Sequence, residues 1–91
     1  MRLIWKPFAL EDRERIMDYI ALDNPKAALQ LDMLFEQKAD QLLTFPELYK
    51  TGRIEGTREA VVHPNYVMVY MMDGDTISIL RILHSAQDWP E

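Results

Sequence analysis

The sequence predicts a two-layer α+β fold in the order βααβββ, with a helix hairpin packed on an antiparallel sheet. Three observations carry this reading. A short β-prone run stops at a proline. Two stretches with helical periodicity follow, joined by a connector too short for anything but a hairpin. The C-terminal part then holds three β-rich runs separated by tight-turn residues.

Residues Arg2 to Trp5 are the short first run, and Pro7 ends it, because a residue without an N–H cannot continue a central ladder but can open a helix. The first helix is expected from Phe8 to about Leu22. Ala9, Ile16, Tyr19 and Ile20 recur there at helical spacing and form the buried side, while Glu11, Asp12, Arg13, Glu14 and Arg15 load the wet side. Asn24-Pro25 starts a second helix: Asn can accept from the free first-turn amides, and Pro at the first helical position loses no needed hydrogen bond. Ala27, Ala28, Leu31, Leu34, Phe35, Ala39, Leu42 and Leu43 make its apolar stripe, and Phe45-Pro46 ends it.

A loop carrying Pro46, Gly52 and Gly56 leads to the runs Thr57 to His63, Asn65 to Met72 and Thr76 to Leu83, read as consecutive antiparallel strands. Pro64-Asn65 and Asp73-Gly74 supply the turns, the second with the positive φ that short hairpins need. The first strand is expected in the same antiparallel sheet. The tail from Ser85 to Glu91 is long enough for a turn or a strand end.

Ninety-one residues fit one domain spanning 1–91. With 48% hydrophobic and 27% charged residues the chain has folded, not disordered, composition. The absence of cysteine removes disulfides, thiolate metal sites and thiol nucleophiles, and suits a reducing cytoplasm. The opening segment MRLIWKPFALEDRER lacks the apolar core of an export signal, and no run reaches the ~20 apolar residues of a membrane span, so a cytoplasmic protein is expected. The formal charge of −5 argues against gripping nucleic acid by a broad basic face, although Lys50, Arg53, Arg58 and Arg81 could cluster locally.

The distinctive pieces are Tyr19-Ile20-Ala21 with Asn24-Pro25 and Ala27-Ala28, then Gly56-Thr57-Arg58-Glu59, Pro64-Asn65-Tyr66 with Tyr70, and Leu80-Arg81-Ile82-Leu83-His84. In this order and spacing they resemble the RelE/ParE superfamily of bacterial type II toxins over nearly the whole chain. The resemblance implies the βααβββ fold, a cognate antitoxin that masks the toxin, and growth arrest when the antitoxin is lost. It also implies one of two mechanisms. RelE-like members cut messenger RNA on the ribosome, whereas ParE-like members inhibit DNA gyrase through protein contacts, and fold alone does not choose between them.

RNA cleavage without a metal needs a base, an acid and fixed positive charge at the phosphate. In nuclease relatives an arginine follows the tyrosine of the second meander strand; here that position is Val67. Losing such a cation removes about 2–4 kcal/mol at a preorganised phosphate site. Arg58, Arg81 and His84 are the remaining catalytic candidates. Against that role, His84 reads more readily as a backbone-bonded imidazole at the sheet edge, Arg58 with Glu59 as members of a cross-strand charge pairing, and Arg81 as a tie to an acidic side chain of the helix hairpin.

The ParE-like reading, a protein-binding gyrase inhibitor, is therefore preferred, with ribosome-dependent RNA cleavage as the alternative and a non-toxic binding protein as a lesser one. Its target surface is expected at Arg81, His84, Gln87, Asp88 and Trp89, which mix cation, hydrogen-bonding groups and an aromatic anchor. The antitoxin is expected at Tyr66, Met68 and Tyr70. These alternate with Val67, Val69 and Met71, so that strand is apolar on both faces, either covered twice or awaiting a partner. No cofactor or metal site is expected: the two histidines lack partner ligands, and Asp73 and Asp75 flank a turn glycine.

Overall fold

The computed structural model describes residues 1–90. It contains β1 (Arg2–Trp5), α1 (Pro7–Ala21), α2 (Pro25–Thr44), β2 (Arg58–His63), β3 (Tyr66–Asp73) and β4 (Thr76–His84). Element order and boundaries follow the sequence reading to within a residue or two. Asn24 caps α2 as its position predicts, its Oδ1 accepting from the Ala27 N–H at 3.1 Å. Gly74 holds φ +61 at the first central position of the two-residue β3–β4 turn, where a side chain would be strained. No helix among the described residues is long and apolar enough to cross a membrane.

Arg13 locks the helix hairpin. Its guanidinium donates twice to the Asp32 carboxylate, both at 2.9 Å, and once to Glu36 at 2.8 Å, and it stacks 4.5 Å above the Trp5 ring. A planar fork engaged by two carboxylates and an aromatic face ties α1, α2 and β1 together at once.

The sheet order is β1-β4-β3-β2, and β1 pairs parallel to β4. The expectation of a wholly antiparallel sheet is corrected here. The reason lies in the hairpin: α2 brings the chain back until Pro46 lies beside Tyr70, whose hydroxyl donates to the Pro46 carbonyl at 2.7 Å. From there β2 sets out in the direction of β1, and after two reversals β4 has that direction too.

Phe35, Ala39, Leu42, Leu31, Ala9 and Ile16 of the helices meet Ala60, Met68, Tyr70, Ile77, Ile79 and Ile82 of the sheet in the main core. On the opposite sheet face, Val67, Val69 and Leu83 are closed by Leu80 and Trp89. β3 is thus covered on both sides. Two residues of α1 exchange their expected roles. Tyr19, on the margin of the stripe Ala9–Asp12–Ile16–Ile20, is 73% exposed, whereas Asp12, placed on the wet face by the sequence reading, is 1% exposed within the stripe.

Candidate functional site

A bulge in β4 decides which residues meet at the surface. Val69 pairs with Arg81 but Tyr70 pairs with Ile79, so Leu80 is an extra residue. Strict alternation would send Leu83 towards the helices with Ile77 and Ile79. The bulge shifts the phase, so that Ile82 joins the main core and Leu83 the opposite cluster. His84 then lies opposite Tyr66, with ring centroids 5.5 Å apart in an edge-to-face arrangement. His63 approaches the same Tyr66 ring from the neighbouring strand at 6.1 Å, and Phe35 supports it from below at 6.0 Å.

Both imidazoles are oriented by backbone. The His84 Nδ1 accepts from the Ala86 N–H at 3.1 Å, and the His63 Nδ1 from the Asn65 N–H at 3.2 Å. In each neutral ring the proton then belongs on Nε2. Gln87 folds back on His84: its N–H donates to the His84 carbonyl at 2.9 Å and its Oε1 accepts from the His84 N–H at 3.3 Å. The result is a cleft of about 290 Å³ lined by Arg15, Ile16, Tyr19, Tyr66, Ile82, His84 and Gln87. The Tyr66 ring separates it from a second depression of about 380 Å³ that runs along α2 past Leu31 and Leu34 to His63.

The cations proposed from sequence are engaged elsewhere. β1 stops opposite Ile79, so the outer edge of β4 beyond that point has no strand neighbour. Asp12 takes the vacant place, accepting from the Ile82 N–H at 2.9 Å and from Arg81 at 2.7 and 3.1 Å. Arg15, one turn further along α1, also donates to Asp12 at 2.7 Å. A buried carboxylate is costly unless its oxygens are filled, and these are filled by two guanidiniums and an amide. Arg58 donates to the carbonyls of Tyr49 (2.6 Å) and Glu47 (3.4 Å), pinning the loop after α2. Burial pushes the neighbouring Tyr70 phenol above its usual pKa, keeping it a neutral donor. Glu59 pairs with Arg53, not Arg58, at 2.9 and 3.0 Å. Arg53 also reaches the carbonyls of Gln87 and Trp89, both at 3.3 Å, and so holds the tail against the sheet.

The sequence matches the profile of the ParE toxin of type II toxin–antitoxin systems over residues 3–89. The chain belongs to the ParE toxin family. It is 33% identical over 91 residues to the Y4kP protein of Sinorhizobium fredii, covering 99% of this chain and 94% of that one. It is 35% identical over 88 residues to toxin RelE2 of Caulobacter vibrioides, covering 94% and 97%. The fold superposes on a chain of the chromosomal ParDE system from P. aeruginosa with a TM-score of 0.82 at 22% identity, covering 92% of this chain and 95% of that one. It also superposes on YafQ from E. coli with a TM-score of 0.57 at 19% identity, covering 94% and 96%.

For this ParE-family chain, the surfaces expected from sequence are redistributed. Met68 and Tyr70 lie under the helices with no exposed area, so neither can meet an antitoxin on the folded chain. They share the sheet face that the hairpin covers, and only Tyr66, at the strand's end, reaches the cleft. The expected target surface divides into His84 and Gln87 at the cleft, Arg81 and Trp89 in a groove around the edge of the sheet, and Asp88 exposed between them. Asp12, Arg15 and Tyr19 are the site residues missed from sequence. The spacing Asp12–Arg15–Tyr19, three and then four residues, places them along one side of a helix and was the available signal.

Proposed function

We propose that this toxin arrests growth by contacting a protein, DNA gyrase, through the cleft of Arg15, Tyr66, His84 and Gln87, and that an antitoxin encoded beside it holds it inactive in the cytoplasm. One observation carries the preference for protein contact over RNA cleavage. Both arginines put forward from the sequence for a phosphate are engaged by the protein itself, Arg58 by loop carbonyls and Arg81 by buried Asp12. Val67, at the position of a nuclease arginine, is buried on the opposite sheet face. A formal charge of −5 supplies no general field for RNA, whereas a cleft of tyrosines, imidazole, amide and one guanidinium suits a protein interface.

RNA cleavage retains one favourable observation: His84 and Arg15 line the same cleft, an acid–base group near a cation. Purified toxin assayed for gyrase supercoiling beside ribosome-programmed message cleavage separates the readings. Inhibited supercoiling with intact message is expected, and it should be lost in His84→Ala and Arg15→Ala. Message cleavage with supercoiling untouched would reverse the choice. Inactivity in both assays by a chain that still binds antitoxin would mark a non-toxic binding protein.

A further inference from the structure

The groove at the start of α1 lies around the sheet edge from the Tyr66–His84 cleft. β1 ends at Trp5 while β4 runs on to His84, which leaves a step in the sheet, and the bulge at Leu80 falls at that step. The turn into α1 and the tail close the other sides. Lys6, Pro7, Phe8, Leu80, Arg81 and Trp89 line an open groove of about 490 Å³. Phe8 is 66% exposed there, with the Arg81 guanidinium 5.9 Å from its ring centre.

We propose that this groove seats a segment of the antitoxin that places a bulky apolar side chain among Phe8, Leu80 and Trp89 and a carboxylate beside Lys6. The inference rests on the toxin–antitoxin reading and deepens it by stating where the partner is held and by what chemistry. Charge supports this occupant. In a chain of formal charge −5, both ionisable groups lining the groove are cations. Arg81 keeps Asp12 as its partner, which leaves Lys6 to receive the carboxylate. The helix start adds positive potential, because α1 begins here and its N-cap Lys6 brings no side-chain acceptor. The outer face of α1 is the opposite environment: Glu11, Glu14 and Asp18 cluster with Arg15 and would repel the same segment. The groove thus offers an apolar floor and a cationic rim, and its neighbour sets the direction from which an acidic chain can approach.

The test titrates the full chain with purified antitoxin by calorimetry, using Lys6→Glu and Phe8→Ala, both exposed positions, with circular dichroism to verify folding. Each variant should bind at least tenfold more weakly than wild type. The Lys6→Glu loss should shrink at high salt, and an antitoxin with its matching acid changed to lysine should recover it. In cells, both variants should still arrest growth, but co-expressed antitoxin should no longer rescue. Affinities within twofold of wild type for both folded variants would overturn the inference while leaving the toxin–antitoxin reading in place. Absence of any complex with the wild-type chain would overturn the reading itself. Loss of toxicity with unchanged antitoxin affinity would assign the groove to the target. Loss of self-association in sedimentation would assign it to a second copy. Either of these last two results would overturn the proposal.

Discussion

The two faces of the sheet are closed by very different means. On one, the two helices bury Met68, Tyr70, Ile77 and Ile79 without exposed area, and a buried carboxylate satisfies the open edge of β4. On the other, Val67, Val69 and Leu83 are covered by Leu80 and by Trp89 of a tail that Arg53 holds through two long hydrogen bonds. The heavy cover belongs to folding: removing it exposes most of the core. The light cover can be lost while the main core stays intact, and it borders the groove assigned to the antitoxin.

The largest effect should come from the helix side. Phe35→Ala empties a fully buried ring site and is expected to cost about 3–5 kcal/mol, read as a fall in the urea midpoint with unchanged slope. A change below 1 kcal/mol would place the main core elsewhere. Asp12→Ala should follow at about 3 kcal/mol, because it strands the Ile82 amide and removes the shared partner of Arg15 and Arg81. If Asp12→Ala with Arg81→Met is more stable than Asp12→Ala alone, the cost lies in the guanidinium that has lost Asp12. If it is no more stable, the Ile82 amide dominates.

On the other face, Trp89→Ala should cost about 1–2 kcal/mol, since the ring is only partly buried and packs against a three-residue cluster. A loss equal to that of Phe35→Ala would remove the distinction between the two covers. The smallest effect concerns the clamp on the tail. The hydrogen bond from Arg53 holds the Glu59 carboxyl below its usual pKa. A carboxylate with a depressed folded pKa contributes stability that is complete above its unfolded pKa, about 4.3, and is lost as pH falls through the folded value. Trp89 fluorescence, read in a Trp5→Phe background, should therefore shift on acidification below about pH 4 ahead of the far-UV signal. Glu59→Gln should show that altered emission already at neutral pH, with a stability loss of at most about 1 kcal/mol. Simultaneous loss of both signals in the wild type would mean that the tail is no more labile than the core.

Local chemistry was sufficient for much of this architecture. Pro7, Asn24-Pro25, Pro46 and Gly74 act on their own backbone dihedrals and amides, so the order of elements and most of their ends were legible residue by residue. The alternation in β3 correctly announced two apolar faces, and the tie foreseen for Arg81, to an acid on the helix hairpin, is the one it makes with Asp12. The tertiary structure decided what depends on partners distant in sequence. Whether the Met68 face met helices or an antitoxin turned on where α2 packs. The parallel pairing of β1 follows from the return path of the hairpin, and the phase of His84 from one inserted residue at Leu80. The fate of Asp12 was the least legible: helical spacing sets it between Ala9 and Ile16, but only a partner outside α1 makes a buried carboxylate tolerable there. Its burial is set by an amide in β4, seventy residues away, left open where β1 runs out.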